Sequence, residues 1–168
     1  MLKDVKKTAS WKRDKGEFSV IEVPAVIVSI ETFVHLQKDA EKILGIDGAA
    51  VLFYEAGKNA GERWINRFSR DWGLKNEMFI VAVVNFYAEL GWGTFNIDDS
   101  NENELVIRVK NSFIARGYGN SKVEVCHFLR GYNAGLAEVL KCRTIDAEEV
   151  RCAAKGDDCC EFVMKCID

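Results

Sequence analysis

Three cysteines and one glutamate in the last third of the chain have the types and spacing to hold a metal ion: Cys126, Glu149, Cys152 and Cys160. Cys152 and Cys160 stand equally far from Gly156, on either side of the turn-like sequence Lys155-Gly156-Asp157-Asp158. A three-residue loop over Lys155 to Asp157 sets the two cysteines opposite each other on neighbouring strands, with Cβ atoms about 4.5–5.5 Å apart. Two thiolates so placed can share one tetrahedral Zn²⁺ through bonds of about 2.3 Å, or close a disulfide, which needs similar spacing. Cys126 and Glu149 complete a four-donor set. Glu149 lies three residues before Cys152, and residues so spaced in a regular strand face opposite sides. The two can share a site only if the strand begins between them, bulges or twists strongly. Glu148 and His127 stand as alternative fourth donors, because carboxylate and imidazole both suit zinc. Zinc leaves about two of the four donor charges uncompensated, which makes Arg130, Arg151 and Lys155 useful neighbours. A filled four-donor shell is structural rather than catalytic. The plainer account of the three cysteines is that they are reduced, buried thiols. Cys159 points away from Cys160, and Cys142 and Cys166 lack partners at ligand spacing.

The elements that must position these residues are legible to different degrees. Thr144–Ala153 and Cys159–Lys165 read as the two strands of the last hairpin. Ser121 and Glu124 form an S-x-x-E capping box, which predicts a helix from Lys122 with Cys126 in its second turn. Val125, Leu129, Tyr132, Leu136 and Val139 form its buried stripe. Gly131 and Gly135, one turn apart, predict a very close neighbour on that helix, since glycine is otherwise costly there.

Upstream, residues 1–17 read as a charged lead-in to a single domain over 18–168. Phe18–Ser29 reads as a strand that Pro24 confines to an edge or bend. Ser29 caps a helix that Gly45 stops, and Ala49–Tyr54 reads as a short apolar strand. Asn59–Trp72 has a helical stripe of Ala60, Trp64, Phe68 and Trp72. Asn76–Leu90 is a helix apolar on most of its circumference, either central to the core or covered by a partner chain. Thr94–Ile97 and Leu105–Val109 make a hairpin, the second strand alternating with period two. Phe113–Asn120 reads as a loop or broken turn around Gly117-Tyr118-Gly119. The fold class is α+β, a mixed helix and antiparallel-sheet domain.

Composition narrows the function. The chain has 168 residues, 48% hydrophobic and 29% charged, with a net charge of −3. That is ordinary globular composition. The charge argues against non-specific binding to nucleic acid, which needs a basic surface. The longest apolar run, Met78–Ala88, is too short to insert across a bilayer. The N-terminus has no apolar core of the kind found in signal peptides, which places the protein in the cytoplasm, where clustered cysteines point to metal or a reactive thiol rather than disulfides. No dinucleotide fingerprint or nucleophile–base triad is visible, and neither histidine has a catalytic partner, so a non-enzymatic role is expected.

The stretch 126–163 resembles the C-terminal signature of the 4-vinyl reductase domain family: Cys126 entering a helix with Gly131-Tyr132 and Gly135, then Glu149, Cys152, Gly156-Asp157, Cys160 and Phe162. The resemblance implies a compact fold like small subunits of the TRAPP vesicle-tethering complex, a homodimer, and an interior cavity for a small hydrophobic or aromatic ligand. It also implies structural zinc on the three cysteines and the glutamate. The His and Trp that hold the ligand hydroxyl in phenol-sensing relatives have no counterpart here, because no histidine lies in the matching middle region. Trp64, Phe68, Phe79, Phe86 and Tyr132 are the candidate ligand-contacting aromatics, with plain core packing as the alternative for each. Two other roles stay open at this point: an enzyme or accessory subunit in tetrapyrrole vinyl-group reduction, and an assembly subunit.

Overall fold

The structure, a computed structural model, describes residues 5–72, 77–141 and 143–167; the side chains of residues 6, 71–80, 99 and 100 lie outside that description. A four-stranded antiparallel sheet is built from β4 (Thr94–Ser100), β5 (Glu104–Lys110), β6 (Ile145–Arg151) and β7 (Cys160–Cys166), in the order β4-β5-β7-β6. The period-two alternation of β5 works as expected: Leu105, Ile107 and Val109 are buried, whereas Arg108 and Lys110 are exposed. Ile145 and Ala147 of β6 and Phe162 and Met164 of β7 extend the same buried face.

Helix α5 (His127–Lys141) packs against β6 and β7, and the long helix α2 (Ile30–Trp72) packs against α5. Nearly all of α5 between Gly131 and Ala137 is therefore buried. The close neighbour implied by Gly131 and Gly135 is α2, whose Gly57 and Gly61 face α5 in turn. A Cβ at Gly131 would run into the Tyr54 carbonyl, and one at Gly57 into the Phe128 carbonyl. The two backbones meet with no side chain between them.

Several expectations need correction. Ala49–Tyr54 is not a strand but part of α2. Ala49, Phe53, Gly57, Gly61 and Ile65 recur every four residues on its buried side, while Val51 and Leu52 stay exposed. Ala60 and Trp64 border this stripe, partly buried against the core, and Phe68 joins it fully buried. Gly45 does interrupt the helix, at φ 77°, but as a kink after which the chain resumes helical geometry. The expected strand Phe18–Ser29 is broken at Ile21 and Glu22, both at positive φ. They form a two-residue turn of the kind that matches strand twist, between β2 (Glu17–Val20) and β3 (Val23–Ala25). Pro24 sits on β3, an edge strand. The charged lead-in supplies a short α1 (Val5–Thr8) and β1 (Ala9–Lys12), which completes this second sheet by pairing with β2.

Helix α3 (Glu77–Glu89) turns Ala82, Val83, Phe86 and Tyr87 into the core and exposes Val81. Its all-round apolarity therefore does not make it the central helix, a place that α5 takes. Phe113–Tyr118 is a helix, α4, rather than a loop, because Ser112 caps it by accepting from the Ala115 N–H. Among the described residues no helix is long and apolar enough to cross a membrane.

Candidate functional site

The four donors come from three places. Cys126 immediately precedes α5, Glu149 is on β6, and Cys152 and Cys160 flank the turn that joins β6 to β7. Their ligand atoms all lie within 4.8 Å of one another, and all four residues are buried. Of the three ways of bringing Glu149 and Cys152 together, the strand uses a bulge: the β6–β7 register shifts between Glu149 and Arg151. One extra residue, Val150, brings Glu149 and Cys152 to one side. The turn is longer than the three residues expected. It runs from 152 to 159 and contains a 3-10 turn at Ala153–Lys155. Its shape is held by Asp157, whose carboxylate accepts from the Cys152 N–H at 2.8 Å.

The capping box at Ser121 and Glu124 does not start α5. Ser121 Oγ accepts from the nearby Val123 N–H, and Glu124 pairs with Lys155. The helix starts at His127, and the Cys126 carbonyl accepts its first turn's hydrogen bond from Arg130. The Cys126 N–H donates to Glu149 Oε2 at 2.9 Å. Glu149 thus joins the start of α5 to β6 through one oxygen while its other oxygen, Oε1, is buried with no partner.

These geometries fit a metal ion. Cys126 Sγ and Cys160 Sγ are 3.6 Å apart, close to the roughly 3.8 Å edge of a tetrahedron with zinc–sulfur bonds of about 2.3 Å. The orphaned Oε1 supplies a lone pair of a kind that buried acceptors normally place in a hydrogen bond. Without a cation the cluster retains protons. Burial, and then the Cys152 thiolate, push Glu149 up to about 9. Burial also drives Cys126 upward, with the hydrogen bonds to Cys152 and Cys160 adding to it. At Cys160 the hydrogen bond to Cys126 acts downward, but that to Cys152 together with burial carries the thiol to about 12. Cys152, which accepts from both neighbouring thiols, falls well below the usual thiol range. Four buried donors gathered this closely are an arrangement that could hold a divalent cation.

Neither alternative donor joins the group: Glu148 is exposed on the outer face of β6, and His127 is buried outside the cluster. The cations expected to neutralise the site are occupied elsewhere. Lys155 holds Glu124, Arg151 holds Asp158 at 2.6 Å, and Arg130 lies over the Tyr54 ring. Cys159 is a separate buried thiol, Cys166 is partly exposed, and Cys142 lies outside the described residues.

A second feature lies on the other side of α4 and α5. A cavity of about 580 Å³ is walled by Phe33, Trp64, Phe86, Trp92, Phe113 and Phe128 and rimmed by Val26, Ile27 and Val28. Its rings interlock: Phe33 packs edge-on against Phe113 and Phe128, with centroids 5.1 and 5.5 Å away. Of the five aromatics singled out in the sequence, Trp64 and Phe86 line this cavity. Phe68 and Tyr132 are buried in the core instead, and the Phe79 side chain lies outside the description. The wall residues that sequence reading misses come from separate elements, Phe33 on α2, Trp92 before β4, Phe113 on α4 and Phe128 on α5, and share no spacing that could reveal them. The cavity and the cluster are near neighbours along the chain. Ser112, next to Phe113, is 3.4 Å from Cys126 Sγ, and Phe128 is two residues past Cys126.

Comparisons with known proteins agree with this architecture. Residues 105–166 match the 4-vinyl reductase domain. An uncharacterised protein of Methanocaldococcus jannaschii is 26% identical over 121 residues, 72% of this chain and 67% of the relative. The phenol-responsive sensory domain of the transcription activator PoxR, crystallised with phenol, superposes with a TM-score of 0.83 at 19% identity, over 98% of this chain and 88% of that one. A vinyl-4-reductase family protein of M. jannaschii gives 0.62 at 20% identity, over 86% and 85%. A trafficking protein particle complex subunit 3 from Naegleria fowleri, covalently bound to palmitic acid, gives 0.53 at 16% identity, over 83% and 95%. Residues 105–166 thus match the 4-vinyl reductase domain, and the α+β fold is like that of the PoxR sensory domain and the TRAPP subunit.

Proposed function

We propose that this protein is a non-enzymatic small-molecule-binding module, of the kind used in sensors, that holds a hydrophobic or aromatic ligand and is stabilised by a structural zinc ion. The observation that carries the reading is the aromatic-walled cavity, whose 580 Å³ falls within the roughly 300–1,000 Å³ usual for small-molecule sites. Support comes from two proteins of similar fold: PoxR's sensory domain responds to phenol, and the Naegleria subunit carries palmitic acid. Cys126, Glu149, Cys152 and Cys160 would hold the zinc, which supplies a cross-link between the start of α5 and the last hairpin. All four positions are filled by protein donors, so the ion has a structural task.

The reading includes a homodimer. Because the described part of α3 faces inward, its Val81 and Val84 do not make a broad contact surface. The exposed apolar side chains gather instead on α2, at Leu36, Ile43, Leu44, Ile46, Val51 and Leu52. Native mass spectrometry of freshly purified protein tests the three parts together. The expected mass is that of two chains with two zinc ions and a retained apolar molecule. A monomer at high micromolar concentration removes the dimer, and a metal-free species with a Cys152–Cys160 disulfide removes the zinc site. A retained redox cofactor replaces the sensor reading with one of vinyl-group reduction.

A further inference from the structure

The cavity is apolar in its walls but not along its whole lining. Ser29, Glu89 and Arg116 contribute its polar side chains. Two of the three are already engaged. Ser29 Oγ accepts from the Thr32 N–H at 3.1 Å and shares a hydrogen bond with Thr32 Oγ1 at 2.8 Å. Glu89 Oε2 accepts from the Val5 N–H at 2.6 Å. Arg116, in the last turn of α4, is exposed, and its guanidinium has no hydrogen-bond or ion-pair partner among the described residues. The cavity is thus an aromatic chamber with one uncommitted cation in its lining. A guanidinium matches a carboxylate through two parallel N–H···O bonds, stronger than neutral hydrogen bonds and specific in direction. Phe113, one turn before Arg116 on α4, also lines the cavity. One face of a short helix therefore presents both a ring and a cation to the same space.

We propose that the cavity takes a small anionic amphiphile, a monocarboxylate with an apolar body, whose carboxylate pairs with Arg116 while the body lies among Phe33, Trp64, Trp92 and Phe128. This rests on reading the cavity as the ligand site and narrows its ligand class. A neutral molecule of the same shape gains the walls but leaves Arg116 unused. The carboxylate brings the counter-charge that Arg116 lacks, and the engaged Glu89 favours an orientation with the head away from it.

Trp64 and Trp92 line the cavity, so tryptophan fluorescence reports occupancy. The probes are 6-phenylhexanoate and 6-phenylhexan-1-ol, which differ only in the head group. The intact chain is expected to bind the carboxylate about tenfold more tightly, as one charge-assisted pair at a partly exposed position warrants. Added salt should narrow that preference. Arg116→Gln should abolish it by weakening carboxylate binding, and Arg116→Lys should restore part of it. Equal affinities in the unaltered chain, or a preference that survives in Arg116→Gln, overturn the carboxylate proposal and leave the cavity reading standing. Binding of neither probe overturns both. The comparison of the two probes on the unaltered chain decides the matter without the variants, should either fail to fold.

Discussion

If the cluster holds zinc as proposed, replacing Cys160 by serine is expected to strip it and lower the melting temperature by about 10 °C. The substitution removes one of four donors from a fully buried cluster and leaves the remaining donors gathered around nothing. Loss of a structural metal belongs to the short list of changes that cost about 4 kcal/mol or more, and in a domain of this length about 1 kcal/mol corresponds to 2–4 °C. Chelation of the unaltered protein should produce a shift of the same sign, and Cys160→Ser should then be indifferent to chelator. Circular dichroism melts with parallel elemental analysis measure both. Unchanged melting in both experiments contradicts the structural role. The shift should also depend on pH in a defined direction. In the metal-free protein the folded state raises Glu149 from 4.5 to about 9. Between those values folded Glu149 holds a proton that the unfolded chain has released, while folded Cys152 has lost one that the unfolded thiol still holds, so the two offset and the metal-free form takes little pH dependence from this pair. Metal requires deprotonated donors and binds more tightly over the same range. The gap in melting temperature between zinc-loaded and chelated protein should therefore widen from about pH 5 to pH 9.

Gly131→Ala is the second change with a large expected effect, although alanine is the better helix former. The intrinsic gain is about 1 kcal/mol. Against it stands a Cβ driven into the Tyr54 carbonyl, with the Lys58 N also in the way. Neither obstacle is a flexible side chain that can rotate aside. Gly57 and Gly61 hold α2 equally close at the Phe128 and Tyr132 carbonyls, so the helices can separate only by giving up the whole crossing. Overpacking in yielding cores costs about 1–3 kcal/mol, and this rigid contact should lie at or beyond the upper end. A fall of about 10 °C in melting temperature is expected. A neutral or stabilising result would mean that the helices are farther apart than described.

The parts of the fold that sequence reading reaches are those whose cause is local or repeats. Leu105, Ile107 and Val109 announce β5 by alternation, and Gly131 with Gly135 announces a close neighbour without naming it. The need for Glu149 and Cys152 to share a face admits a bulge as one of three solutions, and the strand takes it at Val150. The failures have distant causes. Ser121 and Glu124 imitate a cap, but the N–H at the start of α5 is taken by Glu149, 23 residues farther along the chain. Val51 and Leu52 look like core residues of a strand because they are apolar, yet they lie on the outer side of α2. The cavity walls arise from rings far apart in sequence, each of which passes for ordinary core. Arg116 has no local feature to distinguish it from any surface arginine until Phe113 and Trp92 are seen beside it in the lining.

The separation of contacts along the chain has a consequence for how the molecule assembles. The Cys126–Cys160 contact closes a loop of 34 residues, and that stretch already contains α5, β6 and the start of β7. A metal ion bound at the proposed site would therefore clamp a hairpin onto a helix with modest loss of chain entropy, before the rest of the molecule is in place. The glycine crossing instead joins α2 to α5 across the intervening α3, β4, β5 and α4. Non-local docking of this kind is the slow part of folding. With zinc at the proposed site, metal availability would govern whether a formed C-terminal half is waiting when α2 arrives, so zinc starvation should act on the rate of refolding as well as on the final stability.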